Sequence, residues 1–146
     1  MADTYDYAVI RVVPRVERGE FVNAGVIVCC ASKKYLEARV ELDEARLLAL
    51  DPSADVATIR ANLKTIPLIC AGGPEAGPIG RLSLRERFDW LVAPRSTIIQ
   101  TAAVHMGRCD GVDSVLDRLL DRMVRQPVAS GGTDRPGGAD TGNATR

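Results

Sequence analysis

Two stretches of this chain concentrate side chains that could do chemistry. "APRSTIIQ" sets Arg95 beside Ser96 and Thr97, and a guanidinium next to two hydroxyls offers donors suited to a phosphate, a carboxylate or a nucleic-acid backbone. "RGEFVNAGVIVCC" places Asn23 and Gly25 in the first half of an otherwise apolar run, just after Glu20. A buried amide needs hydrogen-bond partners, and a glycine within a strand marks a bulge or a close approach by backbone or ligand. Arg81, Arg85 and Arg87 lie close in sequence to Arg95, and His105 is the only histidine.

Each of these has a plainer account. Asn23 would tie down the "ERGE" connection or a bulge, and Gly25 would admit a neighbouring backbone. Ser96 and Thr97 would satisfy free groups at a turn, with Arg95 paired to an acid. These structural accounts are preferred to a ligand-facing patch. Glu20, Asn23, Gly25, Arg87, Arg95, Ser96 and Thr97 stand as the candidate binding residues, with an anionic group as the ligand their chemistry suits, and no catalytic residue is assigned.

Several function classes are argued against. A single histidine rules out multi-histidine metal sites, and Cys29, Cys30, Cys70 and Cys109 contain no C-x-x-C pair, so no metal or cofactor is expected. The cysteines read as buried free thiols, which suits a reducing compartment. Nineteen basic residues balance nineteen acidic ones, which gives no reason for general attraction to nucleic acid or an anionic membrane. The sixteen arginines against three lysines read as genomic base composition before they read as anion recognition. No apolar run approaches the roughly 18 residues of a membrane span. The start "MADTYD" lacks the features of a secretory signal, so a cytoplasmic location is expected.

The elements that must position these residues follow from periodicity. Tyr5 to Val13 and Phe21 to Ala31 read as strands, the second apolar on both faces and therefore central and covered on each side. Strict alternation puts Phe21, Asn23, Gly25, Ile27 and Cys29 on one face, opposite Val22, Ala24, Val26, Val28 and Cys30; Arg11 on the first strand could share the Asn23 side. "YLEARVEL" alternates cleanly as a third strand, with Leu36, Ala38, Val40 and Leu42 inward.

After Asp43 the period becomes helical. "DEARLLAL" forms a short helix, and a longer one opens on Asp51 and Pro52, carries the stripe Val56, Ile59, Leu63 and Ile66, and ends or bends at Pro67. Residues 71 to 80 are a Gly/Pro loop. Ser83 and Glu86 make a capping box for a helix that buries Leu84, Phe88 and Leu91, with Trp90 on another side. "STIIQTAAV" starts a fourth strand, broken and continuing through His105 and Met106. The last helix carries Val112, Val115, Leu116, Leu119, Leu120 and Met123.

The expectation is an α+β domain over 1–126: an antiparallel sheet of about four strands with helices packed mainly on one face. Residues 127–146 form a disordered Gly/Pro/Thr-rich tail in this reading.

"YAVIRVVP", "RGEFVNAGVIV", "RERFDWLVAPRSTIIQ" and "LDRLLDRMV" together resemble the bacterial domain-of-unknown-function family numbered 3037, over approximately residues 5 to 126. The resemblance implies a small bacterial cytoplasmic protein without established enzymatic activity, whose genes often stand beside those of HipA-like kinases. It marks Glu20, Asn23, Gly25, Arg87, Phe88, Pro94, Arg95 and Ser96 as matching recurrent family positions and assigns none of them a role. The reading that follows is a non-enzymatic interaction module, with a HipA-like kinase as its implied partner. The alternative is a small enzyme or nucleic-acid-processing protein acting on a phosphate-bearing substrate through Arg95, Arg87, Glu20 and His105.

Overall fold

In the computed structural model, which describes residues 2–127, the Val-, Ile- and Tyr-rich start of the chain forms β1 (Asp3–Val12). β2 (Val22–Cys30) and β3 (Tyr35–Val40) follow as an antiparallel meander, joined through 3-10 turns at Val16–Arg18 and Ala31–Lys33. The chain then runs through α1 (Glu44–Leu50), α2 (Val56–Ala71), a 3-10 stretch at Pro74–Arg81 and α3 (Leu84–Val92). It returns to the sheet as β4 (Ile99–Thr101) and β5 (His105–Cys109), and ends in α4 (Val115–Met123). The strand order is β3-β2-β1-β4, with β5 also paired to β1, so β4 and β5 share one lane. This is the broken fourth strand expected from the sequence. Apart from Pro127, the tail expected over 127–146 lies outside the described residues.

The protein is α+β, with its helices mainly on one face. Ile10, Ile27, Leu47, Leu63 and Phe88 are fully buried in the core beneath α1, α2 and α3. On the opposite face Tyr5, Val26, Val28 and Cys30 pack against Val115, Leu116, Leu119 and Leu120 of α4. Covering both faces explains why β2 is apolar throughout. A helix of nine residues is too short to hold itself in water. Each of its buried aliphatic side chains contributes about 1.5–3 kcal/mol of burial, which is what keeps α4 on the sheet.

Strict alternation fails in β2 at one point. Ile10 stands opposite Gly25 and Arg11 opposite Asn23, so Ala24 has no counterpart on β1 and the strand bulges there. The bulge reverses the facing of everything before it. Val22 and Ala24 join Ile27 and Cys29 in the α1–α3 core, instead of Val26, Val28 and Cys30 as simple alternation requires. Asn23 is thereby turned to the α4 side.

The caps also refine the sequence reading. Asp55, not Asp51, caps α2 by accepting from the Thr58 amide. Asp51 closes the preceding turn, accepting from the Ser53 amide at 3.0 Å and the Ser53 hydroxyl at 2.7 Å. Pro67 does not end α2, which continues to Ala71 because Ile69 and Cys70 of the last turn are buried against the core. Ser83 caps α3 as expected, donating its hydroxyl to Glu86 Oε1 at 2.7 Å. No helix among the described residues is long and apolar enough to cross a membrane.

Candidate functional site

The Arg95–Thr97 segment lines an open groove of about 620 Å3 between α2, α3 and β4. That volume lies within the range of small-molecule and peptide side-chain sites. Its floor is apolar, from Ile66, Ile69, Leu91 and Ile99, and its rim carries Val16, Trp90 and Ile98, exposed at 42%, 40% and 44%. Asn62, Thr65, Ser96 and Thr97 supply neutral polar groups, and Arg95 is the only charged side chain in the lining. Trp90 reaches the rim because Phe88, two residues earlier, occupies the buried side of α3.

Arg95 is held in a defined pose. Its guanidinium stacks 4.3 Å above the Trp90 ring and donates to the Trp90 carbonyl at 2.5 Å and the Leu91 carbonyl at 3.5 Å. It therefore cations the C-terminal end of α3, where free carbonyls concentrate negative charge. No acidic partner reaches it among the described residues. The Thr97 hydroxyl donates to the Ile99 carbonyl at 2.8 Å, a local turn bond of the kind its residue type favours.

Arg87 plays the same part for α2. It donates to the carbonyls of Ile69 at 3.0 Å, Cys70 at 2.5 Å and Leu82 at 3.1 Å, tying the end of α2 to the base of α3. Gly72 leaves room for that guanidinium, since a Cβ there would lie 3.0 Å from Arg87 Nη1. Asn23 serves α4, donating through Nδ2 to the Met123 carbonyl at 2.9 Å, and Arg46 donates to the neighbouring Val124 carbonyl at 3.3 Å. Gly25 is required by backbone: a Cβ would stand 2.5 Å from the Arg39 carbonyl of β3. The donors that suit an anion thus meet helix-terminal carbonyls, which present the same partial charge.

The candidate residues do not gather at one place. Arg95, Ser96 and Thr97 are together in the groove. Asn23 bonds to α4 across the sheet, Arg87 is at the far end of α2, and Glu20 pairs with Arg18 in the exposed β1–β2 connection. His105 is exposed on β5, its ring 5.7 Å from that of Tyr7. The four residues of the enzymatic alternative therefore occupy separate regions. Val16, Asn62, Thr65, Trp90 and Ile98 join the groove without having been singled out from the sequence; an exposed Trp one side round from a buried Phe was the signal for Trp90.

The four cysteines are free and buried, and burial pushes the Cys70 thiol up to about 12. Cys29 and Cys30 lie on opposite faces of the sheet. Among the described residues no group of three His, Cys, Asp or Glu is placed to hold a metal ion.

No curated protein and no solved structure matches the chain. A family model described as "Protein of unknown function (DUF3037)" matches residues 7–124, from the middle of β1 to the end of α4, and so takes in the bulge, the groove and the capping arginines alike. The chain belongs to that family.

Proposed function

We propose that the protein is a non-enzymatic interaction module that docks a partner protein in the groove between α2, α3 and β4. One observation carries the reading: Val16, Trp90 and Ile98, three exposed apolar side chains from the β1–β2 connection, α3 and the α3–β4 connection, converge on one concave surface around a single cation. Aromatic and arginine side chains seated in a groove are the usual anchors of protein interfaces. The absence of any carboxylate from the lining favours a partner segment that brings apolar side chains and one acidic group toward Arg95.

A HipA-like kinase is the partner implied by family resemblance and the first to test. Titration of such a kinase from the same host with the full chain, followed by calorimetry, should give a saturable complex. Trp90→Ala should weaken it by about 2 kcal/mol, roughly 30-fold, as for a central anchor. Affinity unchanged in both Trp90→Ala and Ile98→Ser would remove the groove from the interface. A kinase that fails to bind removes that partner and transfers the same two variants to the next protein tested.

A further inference from the structure

The two edges of the sheet are built differently. β3 forms one edge and carries Glu37 and Arg39 on its outer face, with Arg39 paired to Asp117 of α4 at 3.4 Å. Next to it Arg125 bonds Glu41 at 2.7 Å and Asp121 at 2.7 Å. Charges along an edge discourage another strand from pairing there. The opposite edge is the β4–β5 lane. Its residues 97–106, TIIQTAAVHM, contain neither an Asp, Glu, Lys or Arg nor a proline. They expose Ile98, Val104 and Met106 at 44%, 41% and 72%.

The lane also has backbone groups to offer. The Val13 amide donates to the Ile98 carbonyl and the Ala102 amide to the Val9 carbonyl, which fixes Ile98, Gln100 and Ala102 as the residues whose backbone faces β1. Ile99 and Thr101 therefore point their backbone groups away from the sheet. The Thr97 hydroxyl occupies the Ile99 carbonyl. The Ile99 amide and both groups of Thr101 are left for a further strand.

We propose that this edge pairs with the same edge of a second copy of this chain, forming a two-fold dimer with one continuous sheet. Like-with-like pairing is favoured over addition to the β3 edge, because that contact would set Glu37 and Arg39 against an uncharged apolar strand. The 97–106 part of the edge, which stops short of the exposed Arg108 of β5, meets its own copy without charge repulsion. The two-fold contact is self-complementary and closes, so it ends at a dimer and not a filament. The edge shares Thr97, Ile98 and Ile99 with the groove lining, whereas Val104 and Met106 lie outside it, so variants at those two positions test the edge without altering the groove.

The test is sedimentation velocity of the full chain from about 1 μM to about 1 mM, together with amide hydrogen exchange at both ends of that range. Wild type should pass from monomer to dimer with concentration. The dimer should slow exchange at the Ile99 and Thr101 amides and leave the β3 edge unchanged. Val104→Lys and Met106→Lys, both at exposed positions, should raise the dimer dissociation constant at least tenfold while circular dichroism stays that of wild type. A chain that remains monomeric throughout the range overturns the proposal. So does a dimer whose protection falls on β3 or one that persists unweakened in both lysine variants, and saturable binding of a foreign strand by a monomeric chain would assign the edge to another partner.

Discussion

Arg11 and Asn23 stand directly opposite one another across β1 and β2, on the first pair beyond the bulge at Ala24. The bulge turns the Asn23 amide to the Met123 carbonyl, while the Arg11 guanidinium lies 4.1 Å above the ring of Phe21. The single extra residue therefore decides that Asn23 anchors α4 and does not face the α1–α3 core. Asn23→Ala should cost about 1 kcal/mol, the usual net value of one such bond, and speed amide exchange at Val124 and Arg125. Chemical denaturation and exchange of the variant measure both, and unchanged exchange there would argue against the anchor.

Gly25→Ala should cost more than Asn23→Ala, about 1–3 kcal/mol, although only one methyl group is added. The new Cβ meets the Arg39 carbonyl at 2.5 Å and Ile10 Cδ1 at 3.0 Å, and a backbone oxygen in a paired strand cannot turn aside as a side-chain end does. A neutral effect on the denaturation midpoint would show that β3 moves freely relative to β2.

Arg87→Ala should destabilise by about 2–3 kcal/mol, because it leaves three partly buried carbonyls without their charged donor. Arg87→Lys should recover little. An ammonium is a point charge and cannot span the carbonyls of Leu82, Ile69 and Cys70 as a planar fork does. Full recovery in the lysine variant would mean that charge near the end of α2 suffices, without the bidentate geometry.

Periodicity made most of the fold legible. The inward stripe Leu36, Ala38 and Val40 and the α4 stripe fell where a period of two and of 3.6 place them. The facing of Asn23 was not legible, because a bulge is set by pairing with β1 and leaves no mark in β2 beyond Gly25. Nor were the roles of Arg87 and Asn23, whose partners are supplied by tertiary packing: Cys70 is 17 residues from Arg87 and Met123 is 100 from Asn23. Donor-rich residues read from sequence as ligand contacts, since a helix-terminal carbonyl and an anion ask for the same donors. Only "RST" kept both descriptions, capping a helix and lining a groove.

Acid should weaken the fold in part through Asp51. Bonds from the Ser53 hydroxyl and amide, with Arg15 nearby, hold its carboxyl below the ordinary aspartate value of about 3.9. A carboxyl lowered in the folded state adds stability above the unfolded value and loses it as the pH falls through the folded value. Denaturation midpoints of wild type should drop below about pH 4. Asp51→Asn should be less stable at neutral pH and lose less over the same acid window. An identical pH profile for the two would remove Asp51 from the acid transition.

The thiols should be slow to react. Cys29, Cys30, Cys70 and Cys109 are buried and so shielded from reagent, and burial pushes the Cys70 thiol up to about 12, which leaves little Cys70 thiolate at neutral pH. Alkylation of the native chain should proceed only through opening, rise with denaturant in step with unfolding, and leave the thermal midpoint indifferent to reductant. One cysteine labelled rapidly in native buffer would reveal a local opening that its burial does not suggest.

Trp90 gives the groove its own reporter, because it is the only tryptophan in the chain and Arg95 lies over its ring. Arg95→Ala should remove the stacked cation and admit water to that face, shifting Trp90 emission to the red. The stability cost should stay within about 1 kcal/mol, since the stack sits at a partly exposed site. Arg95→Lys keeps the charge but cannot both lie flat on the indole and bridge the Trp90 and Leu91 carbonyls, so its emission should resemble that of the alanine variant. If a partner inserts apolar side chains beside Trp90, titration should move wild-type emission to the blue, and Arg95→Lys should bind more weakly at nearly unchanged stability. Emission identical in all three proteins would mean that Arg95 does not rest on Trp90 in solution, and the groove would then lose its one placed charge.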